Sequence, residues 1–388
     1  MKQLKLKGTY ASINLDHIVH NYKEACRLAG NAVMVSCVVK ADAYGHGETQ
    51  VVEVLVENGL SVICVGTLIE ALRLRARFPK IDILILGYTP KFLECKAAEY
   101  NLIQTISTQE EALALNAAGT TKVHIKVNTG MNRLGFSTES ADEIVAISRL
   151  KNIRICGIFT HLHSSDIGTP APTLSQFEKF DHLLHELEDK GVHVGVRHVC
   201  NSGGIIAFKH MHLDMVREGI MLYGLYPSKA VRQETVHLKE CMELRSFIAR
   251  IIDIKKGEGI SYGQTFIAQR DMKIATVNLG YSDGVFRHLS NRGEVIIHDE
   301  RRPIVGRVCM NMFMVDITGM DEVRAEDEVI VFGRSENQFV SIDEVAAWAG
   351  TISYEVICRT GYSVPRVYYK NGKMIKCEET LLIENDNK

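Results

Sequence analysis

The chain has 388 residues, 46% of them hydrophobic, and its formal net charge is −2. This length accommodates two domains better than one. The near balance of charge provides no basic surface for nucleic acid or an anionic membrane, so we expect a small-molecule substrate. There is no run of about 18 apolar residues, and the first residues lack the apolar region of a signal peptide. These features predict a cytoplasmic protein.

The segment VVKADAYGHG, from Val38 to Gly47, places Lys40 at the end of an apolar run. Continuous apolar composition is typical of a strand that is covered on both faces. The glycines after Tyr44 predict a turn, and the residues from Glu48 to Asn58 predict a helix. The pattern is therefore a strand, a loop and a helix, with a lysine where the strand ends.

Seven further apolar runs, each followed by a helical pattern or a short turn, continue to about residue 226. This alternation predicts parallel βαβ units, and eight of them favour a (β/α)8 barrel, with an open doubly wound sheet as the alternative. Chemistry in such barrels is located at the carboxyl ends of the strands. Polar residues at these predicted ends are Lys40, Arg133, His161, Asn201, Ser202 and Arg217.

The pattern changes after Tyr226, and from about Leu238 strands alternate with glycine-containing turns. This change predicts a separate, mainly antiparallel β domain. We place the division between residues 1–236 and 237–388, with a strand at residues 9–15 as a candidate member of the second domain. The ten cysteines show no metal-ligand spacing, which favours reduced thiols in the core and predicts no metal site.

Lys40 has a chemical interpretation and a structural one. Apolar neighbours remove hydration from a lysine, lower its pKa and make its amine a nucleophile able to form a Schiff base. An isolated lysine at a strand end more often covers the strand with its aliphatic part while its ammonium group reaches water. The motifs elsewhere in the chain decide between the two.

Eight short motifs occur in one order across nearly the whole chain. They are VVKADAYGHG, HIKVNTGMNRLGF, CNSGG, VREGIMLYG, ISYG, GYSDG, GRVCMNM and SYE. Together they resemble the alanine racemase family. The resemblance implies an enzyme dependent on pyridoxal 5'-phosphate, with a barrel and a β domain, that interconverts L- and D-alanine for peptidoglycan precursors.

The resemblance also implies which residues bind the cofactor. Lys40 attaches covalently to it, and Arg217, oriented by His198, hydrogen-bonds its pyridine nitrogen. Arginine does not give up its proton, so it weakens the ring as an electron sink and favours reprotonation over transamination. The other residues expected at the cofactor are Tyr44, His161, Asn201, Ser202, Gly219, Ile220 and Tyr354.

Racemisation needs proton-transfer groups on opposite faces of the substrate α-carbon. Lys40 is one, and the resemblance makes Tyr262 the other, with His161 linking it to Arg217. In the family this tyrosine comes from the other subunit, which predicts a head-to-tail homodimer with two shared active sites. By the same resemblance Tyr281 and Met310 contact the substrate.

Arg133 is suited to the substrate carboxylate or to the phenolic oxygen of the cofactor. Lys126 matches a family lysine that carries a carbamate formed with carbon dioxide, which would hold Arg133 in place. Without an anion nearby, Lys126 and Arg133 would repel each other. We therefore expect a carbamate or another anion at this position.

The sequence departs from the family pattern at several positions. Two family carboxylates are replaced by Asn128 and Asn311, the common NSAA is NSGG, and Glu218 introduces a charge. The two amides leave the substrate open between alanine and, on the same scaffold, serine, lysine or ornithine. A basic amino-acid decarboxylase is disfavoured by Arg217, and a non-catalytic cofactor-binding protein would need neither Tyr262 nor the β domain.

Overall fold

The structure is a computed structural model that describes residues 8–231, 234 and 236–378. The chain divides into two compact units. The barrel unit contains His17–Ala43 and Glu48–Glu240. The β unit contains the described residues of Met1–Asp16, Tyr44–Gly47 and Cys241–Lys388. The described chain begins with strand β1 (Tyr10–Asn14) and helix α1 (Leu15–Ala29).

Eight parallel strands form the sheet of the barrel unit. They are β2 (Met34–Val38), β3 (Val62–Val65), β4 (Asp82–Ile85), β5 (Ile103–Ile106), β6 (Thr121–Lys126), β7 (Ile153–Phe159), β8 (Val196–His198) and β9 (Met215–Glu218). Neighbours in sequence are neighbours in the sheet, and β9 lies beside β2. Between β8 and β9 the Asp214 N–H donates to the Arg197 carbonyl at 3.1 Å, and the Arg217 N–H to the Cys200 carbonyl at 3.0 Å. These bonds close the ring, so the predicted (β/α)8 barrel is confirmed.

Seven helices of the described chain lie between these strands, and some of them begin at a residue whose side chain caps the helix. They are α2 (Glu48–Glu57), α3 (Leu68–Arg77), α4 (Cys95–Glu99), α5 (Gln109–Ala118), α6 (Ala141–Ser148), α7 (Ala171–Asp189) and α8 (Ser202–Ala207). Thr67 caps α3 and Thr108 caps α5, each hydroxyl accepting from a backbone N–H three residues later. Such caps satisfy N–H groups that have no partner within the helix. Single 3-10 turns occupy Lys91–Leu93, Lys209–Met211 and Ile220–Tyr223.

The β unit is mainly antiparallel, as predicted. Its strands are β10 (Met242–Ile254), β11 (Gly259–Ile260), β12 (Phe266–Ile267), β13 (Met272–Val277), β14 (Glu294–Ile297), β15 (Glu300–Val305), β16 (Phe313–Asp316), β17 (Glu328–Arg334), β18 (Phe339–Val340), β19 (Arg366–Lys370) and β20 (Lys373–Cys377). Its helices are α9 (Ile342–Ala349) and α10 (Ser353–Ser363), with 3-10 turns at Tyr262–Gln264, Tyr281–Asp283 and Arg287–Leu289. Pairings run from β10 through β13, β16, β15, β14 and β17 back to β10. β1 pairs antiparallel with β10 and parallel with β19.

The barrel strands are short and buried on both faces. All four residues of β3 and of β5 are buried. β3 is a continuous apolar run, as burial on both faces favours, whereas β5 includes the polar residues Gln104 and Thr105. Within the described part of the chain, no helix is long and apolar enough to cross a membrane.

Glu218 is a charged residue in the wall of the barrel. It follows Arg217 on β9, so its side chain points to the opposite face of the strand. The carboxyl is fully buried; its Oε2 accepts from the Cys37 thiol at 3.5 Å, and its Oε1 has no hydrogen-bond partner among the described residues. Burial raises the pKa of Glu218 well above its usual range. Glu218 is therefore expected to be protonated at neutral pH.

We expect Glu218→Gln to remove one component of the pH dependence of stability. Between the unfolded carboxyl pKa of about 4.3 and the raised folded pKa, the native state binds more protons than the unfolded state, so stability falls as pH rises. The free energy of unfolding of the variant, relative to the wild type, should therefore increase as the pH rises above about 5. Denaturant titrations measure this. The exposed Glu188→Gln should show no such trend, and parallel curves for Glu218→Gln and wild type would contradict the assignment.

Candidate active site

Lys40 lies two residues beyond β2 and begins a left-handed turn. Ala41, Asp42, Ala43 and Tyr44 all have φ between 52° and 54°. This region is unfavourable for residues with a Cβ, at about 1–2 kcal/mol each. Such a conformation persists only where the surroundings hold it, and it often occurs at functional sites.

Two carboxylates hold the left-handed turn within the barrel unit. Glu70 accepts the Ala41 N–H on Oε1 at 2.7 Å, and on Oε2 it accepts the N–H groups of Gly66 at 2.7 Å and Thr67 at 3.0 Å. Asp42 accepts the Glu48 N–H at 2.7 Å. Glu70 therefore ties the residue after Lys40 to the carboxyl end of β3. A Cβ on Gly66 would lie 3.5 Å from the Lys40 Cβ, which confirms that the two strand ends are close.

Arg217 is buried at 2% exposure on β9, where it pairs in register with Ser36 of β2. Its guanidinium donates to the Thr160 carbonyl at 2.8 Å, to the Val199 carbonyl at 2.9 Å, and to His161 Nδ1 at 3.4 Å. Burial lowers the pKa of Arg217 to about 10, so the side chain remains a cation at neutral pH. It is thus a fixed, buried cation that only donates hydrogen bonds.

A second guanidinium nitrogen of Arg217 contacts a pair of histidines. Arg217 Nη1 lies 2.6 Å from His198 Nδ1, and His198 Nε2 lies 2.9 Å from His124 Nδ1. The His198 ring stacks on Phe159 with centroids 4.7 Å apart and planes 5° apart. Burial and the charge of Arg217 lower the pKa of both histidines, that of His124 to about 3. Both rings are therefore neutral at physiological pH.

Lys126 ends β6 on the same register level as Phe159. Its Nζ is buried without a hydrogen-bond partner in the described structure and lies 4.8 Å from the centre of the Phe159 ring. Burial, then Arg217 and the exposed Arg133, lower the pKa of Lys126 well below its usual range. The predicted neighbourhood of Lys126 and Arg133 is present. Burial and two neighbouring cations therefore disfavour the charged form of Lys126.

Asn128 organises the loop that leads to Arg133. Its Oδ1 accepts the N–H groups of Gly130 at 3.2 Å and Asn132 at 2.9 Å. Its Nδ2 donates to the Asn132 side-chain oxygen at 3.1 Å. A carboxylate at position 128 would lack this donor. The Asn128 amide therefore hydrogen-bonds both the backbone and the side chain of Asn132, and it holds the loop together without a negative charge.

The CNSGG segment forms the turn into α8. The Ser202 hydroxyl accepts the N–H of Gly219 at 3.0 Å and of Met221 at 3.3 Å, so the Gly219 amide is already engaged. Ile220 follows as the first residue of a 3-10 turn. Asn201 is the N-cap of α8: it accepts from Gly204 N–H at 3.0 Å and from the Ser165 hydroxyl at 2.6 Å.

The two glycines of this segment stand where a larger residue would clash. A Cβ on Gly203 would lie 2.7 Å from the Ser165 hydroxyl oxygen, and one on Gly204 would lie 2.9 Å from the Cys200 sulfur. Both distances are too short for real contacts. Ser165 and Cys200 thus explain why NSGG stands where alanines are common in the family.

The remaining predicted residues lie in the β unit. Ser282 connects two of their loops: its N–H and hydroxyl donate to the Met310 carbonyl at 2.9 and 2.8 Å, and its oxygen accepts from Asn311 Nδ2 at 2.8 Å. Tyr281 N–H donates to the Cys309 carbonyl at 3.0 Å. Tyr281, Met310 and Asn311 are therefore brought together.

Tyr262 is largely exposed in the β unit, at 69%. It follows Ser261, whose hydroxyl donates to the Arg307 carbonyl at 2.7 Å and lies 3.4 Å from the Cys309 sulfur. Ser261 has φ of 64°, so the turn that presents Tyr262 is strained and held by these contacts. Separately, the rings of Tyr44 and Tyr354 lie 6.1 Å apart.

Both units match family models along their length. Residues 13–227 match "Alanine racemase, N-terminal domain", and residues 241–368 match "Alanine racemase, C-terminal domain". The chain belongs to the alanine racemase family. The family predicted from the motifs, and with it the prediction of an enzyme with racemase activity, is confirmed.

Individual members of the family cover almost the whole chain. Alanine racemase 1 of Clostridium acetobutylicum is 39% identical over 96% of this chain and 98% of its own. The alanine racemase of Methanococcus maripaludis is 40% identical over 92% and 98%. The structure of the Clostridium difficile 630 alanine racemase superposes with a TM-score of 0.91 at 34% identity, covering 97% and 99%. The Bacillus anthracis enzyme with bound L-Ala-P gives 0.90 at 31% identity, covering 96% and 97%.

Two residues of the site were not predicted from the sequence. Thr67 and Glu70 form the S/T-x-x-E pattern of a capping box, so the sequence indicates a helix start at Thr67, but nothing in that pattern indicates the bond to Ala41. The sequence also contains an indication of His124, which stands two residues before Lys126 on a strand and so points to the same side. The period of two along β6 was sufficient to place His124 inside the barrel.

We expect Glu70→Gln to loosen the turn at Lys40. The amide retains one acceptor oxygen where the carboxylate serves three N–H groups, so at least one of these groups loses its partner. The free energy of unfolding should fall by about 1–3 kcal/mol, and hydrogen exchange at the Ala41 amide should accelerate. The exposed Glu110→Gln is the control, since surface ion pairs contribute little. Unchanged exchange at Ala41 would contradict the role given to Glu70.

Proposed function

We propose that this chain interconverts L- and D-alanine with pyridoxal 5'-phosphate as cofactor, in the cytoplasm, and supplies D-alanine for peptidoglycan precursors. The observation that carries the proposal is the buried, hydrogen-bonded Arg217 on the strand beside that of Lys40. A cation that only donates hydrogen bonds suits an unprotonated pyridine nitrogen. We further propose that residues 1–236 bind the cofactor and that residues 237–388 complete the active site.

The chemistry of the side chains fits the cofactor. Lys40 offers the amine for covalent attachment, Ser202 a hydroxyl for the phosphate, and Arg217 a donor for the ring nitrogen. The family relationship assigns further residues to the cofactor. They are His161, Asn201, the backbone of Gly219 and Ile220, and the phenols of Tyr44 and Tyr354. When bound, pyridoxal 5'-phosphate supplies an electron sink for the electron pair that the substrate α-carbon retains after losing its proton.

The protein residues control the proton transfers. We propose that Lys40 Nζ transfers the α-proton on one face of the substrate and that Tyr262 Oη of the partner subunit transfers it on the other. Arg217 keeps its own proton, which limits electron withdrawal and favours return of a proton to the α-carbon. Tyr262 is exposed in the single chain, which is consistent with a role that it completes in a dimer.

We propose that Arg133, the Met310 backbone and Tyr281 bind the substrate carboxylate and line its entrance. Replacing two carboxylates by Asn128 and Asn311 removes negative charges that would attract a cationic substrate side chain. Asn128 is hydrogen-bonded within its own loop and Asn311 to Ser282 of another loop, which supports an intact pocket geometry. A small neutral amino acid is therefore favoured over lysine or ornithine, and serine is the closest alternative.

The activity test is incubation of the purified protein with the cofactor and single enantiomers of alanine, serine, lysine and ornithine in D2O. We expect chiral inversion, with deuterium at the α-carbon, to be fastest for alanine. Faster inversion of serine or a basic amino acid would contradict alanine as the substrate and indicate that amino acid instead. Absence of exchange with every amino acid would contradict racemisation.

Shared active sites make a specific prediction for mixed dimers. Lys40→Ala and Tyr262→Phe should each abolish racemisation. Mixing the two and exchanging subunits should restore about a quarter of wild-type activity, because half of the dimers are mixed and each of these has one intact site. No recovery, in a mixture that light scattering shows to have exchanged, would indicate that Lys40 and Tyr262 act within one chain.

We propose that Lys126 is carbamylated. Its neutral amine attacks carbon dioxide, a C–N bond forms, the electron pair of one C=O bond moves to oxygen, and one proton is released to solvent. The product is an anion between Arg133 and Arg217, which replaces repulsion by attraction. The lowered pKa of Lys126 supports this, because only the unprotonated amine reacts.

Carbon-13 NMR with labelled bicarbonate tests the carbamate. Wild-type protein should show one carbamate resonance at neutral pH, and Lys126→Met should lack it. Lys151→Met, at an exposed lysine, should retain it. Wild-type protein without the resonance would contradict the carbamate.

A further inference from the structure

We propose that His124 is a positioning residue for Arg217: by accepting a hydrogen bond from His198 it fixes His198 in the one tautomer that can accept from Arg217. This inference rests on the proposed function, in which Arg217 faces the cofactor ring. His124 itself contacts neither cofactor nor substrate in this proposal. It acts through a second histidine.

The direction of each hydrogen bond follows from chemistry. The charged guanidinium of Arg217 can only donate, so His198 Nδ1, 2.6 Å away, must be without a proton. A neutral imidazole then carries its proton on Nε2. That proton points to His124 Nδ1 at 2.9 Å, which must accept. Arg217 therefore donates to His198, and His198 donates to His124, which is the final acceptor.

Protonation of either histidine would place a hydrogen on a ring nitrogen that must accept, and would disrupt this chain of hydrogen bonds. Burial and the charge of Arg217 lower the pKa of both His198 and His124, so both stay neutral. The titratable groups facing the pair are Arg217 and Lys126, and the fixed charge of Arg217 disfavours a positive charge on either histidine. The geometry and the electrostatics thus favour the same tautomers.

The barrel wall contains a slot for the His124 ring. Gly157 on β7 is the register partner of His124 on β6. A Cβ on Gly157 would lie 2.5 Å from both Cε1 and Nε2 of His124, so only glycine leaves room for the ring. The φ angle of Gly157 is not positive. Glycine is therefore needed here for close packing and not for backbone conformation.

Loss of the acceptor at position 124 has a definite consequence. His198 Nε2–H would be left buried without a partner, which is costly. The alternative tautomer would turn an N–H of His198 toward an N–H of Arg217 and displace the guanidinium. Because Arg217 serves the reacting ring rather than the substrate carboxylate, kcat should change more than KM.

Variants at position 124 separate positioning from packing. His124→Phe fills the slot without an acceptor, whereas His124→Asn retains an acceptor oxygen near the position of Nδ1. In the cofactor-loaded enzyme we expect His124→Phe to lower kcat about 10- to 100-fold with little change in KM, and His124→Asn to recover most of it. Gly157→Ala should resemble His124→Phe. His185→Phe, at an exposed histidine, should be neutral.

A measurement independent of activity keeps the inference testable if these variants do not fold. Neutron diffraction of the wild-type protein should show hydrogen on Nε2 of His198 and none on its Nδ1. A proton on His198 Nδ1, or equal kcat for His124→Phe and wild type, would overturn the positioning role. If the wild type proves inactive toward all amino acids while the neutron map shows the expected tautomer, the proposed function fails and the hydrogen-bond chain stands.

Discussion

The burial of one guanidinium group is the constraint on which the site depends. Arg217 lies near the end of β9, almost without solvent contact, and its cost of burial is offset by acceptors on two neighbouring segments. These acceptors are Thr160, which follows β7, and His198 and Val199 at the end of β8. The closure of the barrel between β8 and β9 is therefore also what surrounds this cation.

The same cation determines the electrostatics of its neighbours. It lowers the pKa of His161, after burial, and contributes to the low pKa values of His198 and Lys126. Neutral histidines accept or relay hydrogen bonds, and a neutral lysine can react with carbon dioxide. Burial, together with this one charge, thus lowers the pKa of three side chains around it, which is typical of functional sites.

Much of the fold was predictable from sequence because it depends on periodicity. The eight apolar runs became eight parallel strands, and the alternation with turns after Tyr226 became the antiparallel β unit. The left-handed turn after Lys40 was not predictable, since Ala41, Ala43 and Tyr44 have no preference for positive φ. It is held by a bond from the Ala41 N–H to Glu70, 29 residues away in the sequence, and by a local bond from the Glu48 N–H to Asp42.

The site residues likewise divide into those that the sequence predicts and those that only the folded structure reveals. Arg217 and Lys126 were found through motifs, whereas the partners that define their chemistry are contacts between strands. The pairing of His124 with Gly157 and the fit of Gly203 against Ser165 arise only when strands and loops meet. At Asn128 an amide replaces a family carboxylate, and its hydrogen bond to the Asn132 side chain gives a physical reason for the amide.

The most direct test of this account is the protonation state of the cofactor nitrogen that Arg217 is proposed to face. Nitrogen-15 NMR of the full-length protein loaded with pyridoxal 5'-phosphate labelled at the ring nitrogen reports it. The account predicts an unprotonated pyridine nitrogen at neutral pH, shifted by a hydrogen bond that Arg217→Lys alters. A pyridinium signal in the wild-type protein would contradict the role given to the buried guanidinium.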